Sequence, residues 1–255
     1  MKHIKQMSVL LLFAAVTGCA KIDEKFSDSL VRSSASTVTA GDILKNIYEG
    51  DLRNFMNQDN LWAIQEHTTD ECVGPTRGGD WDDAGVWRQI HTHTWGPDHN
   101  EVRGAWNQLL SQVNNCNLVI FSGSGTASQK AEARFLRAFY YWHIVETFGG
   151  VMLRIEETKT PLLTAKRSPI EDFYTLMISD LEFAVANLPL QSTWGNEYSR
   201  ASRKSAMGFL ARTLLSRAYY STGAEAQTYF ARARDAAKAV IDNRAALEVE
   251  LWANY

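Results

Sequence analysis

"QKAEARFLRAFYYWHIVETFGG", Gln129 to Gly150, decides the fold. Phe135, Leu136, Ala138, Phe139, Trp142, Ile144 and Val145 fall on most sides of a 3.6-residue period, and only Lys130, Arg134, Arg137 and Tyr141 form a polar stripe. A helix that is apolar nearly all round belongs deep inside a bundle. Gly149-Gly150 predicts its end, because glycine accepts the positive-φ residue that closes many helices.

The same period extends in both directions. Thr39 predicts an N-cap with Asp42 at the third helical position, leading to Ile43 and Ile47. Trp106, Leu109, Leu110, Val113, Cys116 and Ile120 share one helical face, which places Trp106 in the core. After a less regular stretch, Val151–Thr164, the run Ser168-Pro169-Ile170-Glu171 predicts a capping box with proline at the first helical position. Phe173, Leu176, Met177, Leu181, Ala184 and Leu188 follow at helical spacing. Met207, Leu210, Ala211, Leu214 and Ala218 line the next helix, which Tyr219-x-x-x-Gly223 ends. Phe230, Ala233, Ala237 and Ile241 line the last. Small alanines suit close packing of a tetratricopeptide-like hairpin, and equally a generic helical hairpin. With no strand-rich stretch, the fold class is all-α.

The chain has 255 residues, 45 % of them apolar, and a net charge of −3. Residues 1–18 carry Lys2 and Lys5 and no acid, so the remainder carries −5, which argues against a nucleic-acid partner. Those residues are a secretory signal: a basic start, then an apolar run from Ser8 to Val16 too short to span a bilayer. Val16-Thr17-Gly18-Cys19 resembles a bacterial lipobox, implying cleavage before Cys19 and its acylation. Ala20-Lys21-Ile22-Asp23-Glu24 looks like a signal for the outer face of the outer membrane. Residues 19–38 form the lipidated tether, and 39–255 the helical domain. Cys72 and Cys116 are expected to be unpaired, Cys116 as a core residue.

Helical spacing breaks at "TTDECVGPTRGGDWDDAGVWRQIHTHTW", Thr68 to Trp95. Trp81, Trp87, Trp95 and Trp106 fall within 26 residues, and the first three read as lying in irregular or short extended structure. An aromatic ring stacks on the apolar face of a pyranose, and carboxylates and guanidinium groups bond its hydroxyl rim. Asp70, Glu71, Arg77, Asp80, Asp82 and Asp83 accompany these rings. Glycoside hydrolysis would need two carboxylates at least about 5 Å apart across a bond, and nothing marks such a pair, so no catalytic residue is assigned. His91-x-His93 with Asp98 and His99 could hold zinc, but the intervening threonines suit a short strand and a structural histidine pair, so neither metal nor cofactor is expected. The bland alternative is a loop pinned to the bundle by its tryptophans.

The lipobox, the loop continued as "GPDH", "VRGAWNQLLSQVNNCNLVI", "AEARFLRAFYYWHIVETFGGVML" and "SAMGFLARTLLSRAYYSTG" together resemble the SusD/RagB family of outer-membrane nutrient-uptake lipoproteins. The resemblance implies tetratricopeptide-like hairpins with a long irregular loop insertion, and a non-catalytic protein that captures oligosaccharide or polysaccharide at the cell surface. It also implies a TonB-dependent barrel transporter as partner. Family members are longer, so the chain is expected to hold the N-terminal part. The family's polar contacts would fall at Asp70, Arg77 and Asp98, with Trp95 as a stacking ring. Trp81, after the Gly78-Gly79 bend, is added on its own chemistry. A helical scaffold that binds only a protein partner is the alternative.

Overall fold

The structure, a computed structural model, describes residues 38–55, 57–74, 79, 83–154, 166–197 and 199–247. Among them lie α1 (Ala40–Asn46), α2 (Asn60–Glu66), α3 (Val86–His91), α4 (Asn100–Ile120), α5 (Ala127–Phe148), α6 (Ile170–Asn187), α7 (Arg203–Tyr219) and α8 (Gly223–Asp242). No strand occurs among the described residues, so the all-α expectation holds. From α4 onward each helix packs on the next, and α4–α5 and α7–α8 are hairpins across short connections. No described helix is long and apolar enough to cross a membrane.

Thr39 caps α1 as its sequence predicts. Its hydroxyl accepts from the Asp42 N–H at 3.1 Å, and Asp42 takes the Thr39 N–H at 2.9 Å. Thr126 and Gln129 make the same box at the start of α5. α5 is buried nearly all round, and Leu136, Tyr140, Tyr141 and Ile144 join Leu109, Phe173, Tyr174 and Met177 in the main core. It stops at Gly149, whose φ of +70° and ψ of −153° suit glycine.

The polar stripe of α5 does not face water. Arg137 is buried and grips Asp180 of α6 with two bonds, Nε to Oδ2 at 2.7 Å and Nη2 to Oδ1 at 2.9 Å. Its Nη1 donates to Asn117 Oδ1 of α4 at 2.7 Å, and Arg134 adds a 3.0 Å bond to Asp180. The Asn117 amide and the Tyr141 hydroxyl both donate to the Arg154 carbonyl, at 3.3 and 3.0 Å. One polar network thus joins three helices and the segment after α5. Cys116 lies beside it in the core, and both Cys116 and Cys72 are free thiols, as expected.

Four local expectations are corrected. Ser168 does not cap α6: its hydroxyl accepts from the Leu153 N–H at 3.4 Å and its own N–H donates to the Val151 carbonyl at 2.8 Å. The hydroxyl is thereby spent on the chain leaving α5, and Pro169 takes the N-cap position. Gly150 permits this approach, since a Cβ there would collide with the Ser168 carbonyl. Trp106 is 38 % exposed, lying edge-on to Phe148 at 5.3 Å at the rim of the core. On α8 the buried stripe is Ala226, Tyr229, Ala233 and Ala236, so Ala237 is exposed and Ile241 is 62 % exposed. Alanine-rich helices carry apolar residues on more than one face, and the partner helix chooses among them. Finally, α7 ends at Tyr219 and Gly223, with φ of +57°, opens α8.

His143 supplies a stability test. It sits among the rings of Phe55, Phe139 and Trp142 at 5.1, 4.7 and 5.0 Å, and its Nδ1 is buried without a partner. Burial, reinforced by the Arg212 cation, pushes its pKa down to about 4 from 6.5. Between those values the unfolded chain binds a proton that the folded chain refuses. Stability contributed by neutral His143 is therefore complete above pH 6.5 and lost as pH falls toward 4. The loss should be on the order of 2–3 kcal/mol. Urea denaturation at pH 7 and 4.5 should give a smaller pH difference for His143→Phe. An unchanged difference would assign the acid sensitivity to other groups.

Candidate functional site

The segment between α2 and α4 is built on a small satellite core of Ala63, Val86, Trp87 and Ile90. α2 is tied to α4 at its start: Asn60, at φ +51°, donates its N–H to the Glu101 carboxylate, and Gly104 leaves room for the Asn60 side chain. At the other end His67 is buried, edge-on to Trp62 at 5.5 Å and against Trp87 at 5.0 Å. Burial, then the neighbouring His91, holds His67 below the usual histidine range. The Cys72 thiol lies 3.7 Å from His67 Nδ1. Thr68 and Thr69 donate to the Ile64 and Glu66 carbonyls at 2.9 and 2.6 Å, closing the last turn of α2. Asp70 and Glu71 follow, both exposed.

Trp87 is not in irregular structure. It lies on α3, is 5 % exposed, and donates from Nε1 to Asp83 Oδ2 at 2.7 Å. A Cβ on Gly74 would fall 2.5 Å from Trp87 Cβ, so the chain after Cys72 is pressed onto the ring. Asp83, Ala84 and Gly85 all have positive φ, of 38°, 57° and 78°. Two non-glycine residues in that region carry backbone strain, which the Asp83–Trp87 bond helps to hold. Trp87 is thus the pin that the bland reading anticipates.

Trp95 is different. Beyond α3 the Thr92 hydroxyl donates to the Arg88 carbonyl at 2.7 Å and the Thr94 N–H to the Gln89 carbonyl at 2.9 Å. These bonds fold the chain back, and Trp95 emerges 44 % exposed, with Asp98 also exposed. His99 then caps α4. Its Nδ1 accepts from the Glu101 N–H at 3.3 Å, so Nε2 carries the proton and donates to the Val86 carbonyl at 3.2 Å. Histidine is not a preferred cap residue, and its sequence carries no signal of this role.

The structure therefore exposes Asp70, Trp95 and Asp98 on a segment locked at His67, Trp87 and His99. Arg77 and Trp81 lie outside the described residues, as do Cys19 and the signal. The expected histidine strand is absent: His91 is the last residue of α3 with its Nδ1 buried and unpartnered, and His93 is exposed with φ +55°. With His99 committed to the Val86 carbonyl, these side chains do not converge. No group of three ligand-type side chains that could hold a metal occurs among the described residues.

A feature that sequence reasoning missed is a concavity of about 280 Å³ lined by Tyr48, Leu52, Phe135, Phe139, Arg200 and Ser205. Tyr48 reaches it from a π-turn, Ile47–Asp51. Arg200 donates to both oxygens of buried Glu132 at 2.9 and 2.7 Å and to Glu197 at 2.6 Å, and lies 4.0 Å over the Trp194 ring. Partners separated by 68 residues meet here, so no local pattern could announce them.

Comparison with known proteins agrees with the all-α fold. A family model described as "Starch-binding associating with outer membrane", SusD-like, matches residues 24–215. SusD-like protein P2 of Formosa agariphila is 26 % identical over 264 residues, covering 98 % of this chain and 48 % of the relative. Starch-binding protein SusD of Bacteroides thetaiotaomicron is 27 % identical over 183 residues, covering 69 % and 30 %. A crystal structure titled as being with xylogluco-oligosaccharide superposes with a TM-score of 0.57 at 26 % identity, over 72 % of this chain and 37 % of its own. The chain spans about half the length of the first relative and less of the other two. With the helical order and the matched span in agreement, the chain belongs to the SusD/RagB family.

Proposed function

We propose that the protein is a non-catalytic glycan-binding lipoprotein, acylated at Cys19 and held at the outer face of the outer membrane. It captures oligosaccharide on the loop carrying Asp70, Arg77, Trp81, Trp95 and Asp98 and passes it to a TonB-dependent barrel transporter. The observation that carries this reading is the Trp95 ring, left exposed on a segment that buries Trp87. An exposed ring stacks on the apolar face of a sugar, and Asp98, three residues on, can accept from hydroxyl groups. The names of relatives support the ligand class: starch for one, a xylogluco-oligosaccharide for another. Weak binding per sugar is adequate where many copies share one surface.

In native gels containing laminarin, xyloglucan or starch, the chain should be retarded by at least one polymer. Trp95→Ala should weaken that retention about tenfold, the loss of one stacking contact and its buried area, with unfolding unchanged. Retention equal to the parent would remove Trp95 from the site.

The exposed apolar residues Leu215, Tyr219 and Ile241 on the last hairpin favour a second reading, a scaffold that binds only protein. It would be preferred if a barrel protein co-purified with the chain and no glycan retarded it.

A further inference from the structure

We propose that the concavity lined by Tyr48, Phe135, Phe139 and Arg200 is a binding site for a small neutral aromatic group, one ring carrying an uncharged oxygen. None of its lining residues belongs to the segment around Trp95, so it stands independently of the glycan reading. Two pairs of side chains at helical spacing build one side: Tyr48 with Leu52, and Phe135 with Phe139 on α5. The rings are braced. Phe139 lies 5.1 Å from Phe55 and 5.8 Å from Phe209, and Phe135 lies 6.0 Å from Phe209. Arg200 and Ala201, from the segment joining α6 to α7, build the other side. That segment is fastened as well: the Arg203 N–H donates to the Pro189 carbonyl at 2.9 Å, and Trp194 Nε1 donates to the Ala201 carbonyl at 2.8 Å. A wall held on both sides loses little freedom when a ligand enters.

The chemistry of the wall selects the ligand. The Tyr48 hydroxyl accepts from the Ala201 N–H at 3.0 Å and donates to Glu132. Ser205 Oγ accepts from the Ser202 N–H at 2.7 Å and donates to the Ser202 carbonyl at 2.8 Å. Leu52, Phe135, Leu136, Phe139 and Ala201 add only carbon. A sugar entering here would give up water for few partners, whereas an apolar ring gives up nothing. The volume, about 280 Å³, exceeds the roughly 150 Å³ of an apolar cavity that accepts benzene. Three aromatic side chains favour a ring over an aliphatic group of equal size. Arg200 carries one positive charge against the two carboxylates it holds, Glu132 and Glu197, so an anion gains no free cation. A cationic ligand meets the guanidinium itself. Three of the five guanidinium N–H groups are spent on those acids, and a remaining one can donate to an uncharged oxygen.

The test titrates the full, nitrogen-15-labelled chain with benzyl alcohol, cyclohexylmethanol, benzoate and methyl glucoside. The Trp194 indole and Arg200 Nε–H signals should shift saturably with benzyl alcohol, with a dissociation constant of about 1 mM. Cyclohexylmethanol should bind roughly three- to tenfold more weakly, and benzoate and methyl glucoside more weakly still. Leu52→Trp should fill the space and abolish the shifts with its urea midpoint unchanged. Phe139→Leu, which keeps an apolar wall and removes one ring, should weaken benzyl alcohol severalfold if the larger substitution fails to fold. No saturable shift with any probe, or undiminished binding to the folded Leu52→Trp chain, would overturn the site. Equal binding of cyclohexylmethanol would overturn the preference for a ring, and tighter binding of benzoate or methyl glucoside would overturn a neutral aromatic ligand. A dimer that Leu52→Trp dissolves and benzyl alcohol leaves intact would give the concavity to a second copy of the chain instead.

Discussion

Asp180→Ala should lower the stability of the chain by about 3–5 kcal/mol, a large part of the 5–15 kcal/mol typical of a domain. The carboxylate is fully buried and holds Arg137, which is itself only 3 % exposed. Burial pushes the Asp180 carboxyl up, and the two guanidiniums pull it back toward the ionised form. Removing the acid strands a buried cation whose third bond, to Asn117, cannot neutralise it. The cost is therefore mostly the unpaired charge rather than the lost attraction. Replacing both partners, Asp180→Leu with Arg137→Met, should recover most of the loss, because an apolar pair of similar volume asks for no compensation. Urea denaturation of the two variants checks this. A loss under about 1 kcal/mol for Asp180→Ala would mean that water reaches the pair and the network is not a tie between α4, α5 and α6.

Trp87→Ala should have an effect as large but confined to one region. Deleting a buried tryptophan costs about 3–5 kcal/mol, and here the ring is the centre of the satellite core. It fills the space against His67 and the backbone at Gly74, and it holds the strained Asp83 turn. Amide exchange should accelerate over residues 61–67 and 86–91 while α5 and α6 stay protected, since the main core does not include Trp87. Glycan retention should fall at least as far as with Trp95→Ala, although Trp87 is too enclosed to touch a sugar. Trp87→Phe keeps most of the packing and should lose only about 1 kcal/mol for the hydrogen bond to Asp83. Unchanged exchange in Trp87→Ala would show that the segment is held elsewhere.

These two variants also mark how far local pattern reaches. Thr39 with Asp42 was legible because a capping box is decided within four residues. α5 was legible because an all-round apolar helix has few places to go. Ser168 was misjudged for a tertiary reason: a hydroxyl with two available partners took the neighbouring chain over its own helix. On α8 the true face was hidden because the apolar residues allow two stripes, and α7 selected one.

The tryptophan segment divides along the same line. Composition alone announced an exception to the helical pattern, with rings, acids and glycines together, and family resemblance followed from such linear signals. Which ring is buried and which is free could not be read there, since both belong to one glycine-broken segment without a sustained helical period. That distinction depends on His67, Gly74 and Asp83 meeting one face of α3. By itself the chain's order of residues determined helix positions, caps and class, all of which arise from interactions a few residues apart. Only the tertiary structure decided the exposure of Trp95, the inward turn of Arg137 and the pairing of Glu132 with Arg200, because each is set by groups brought together across the fold.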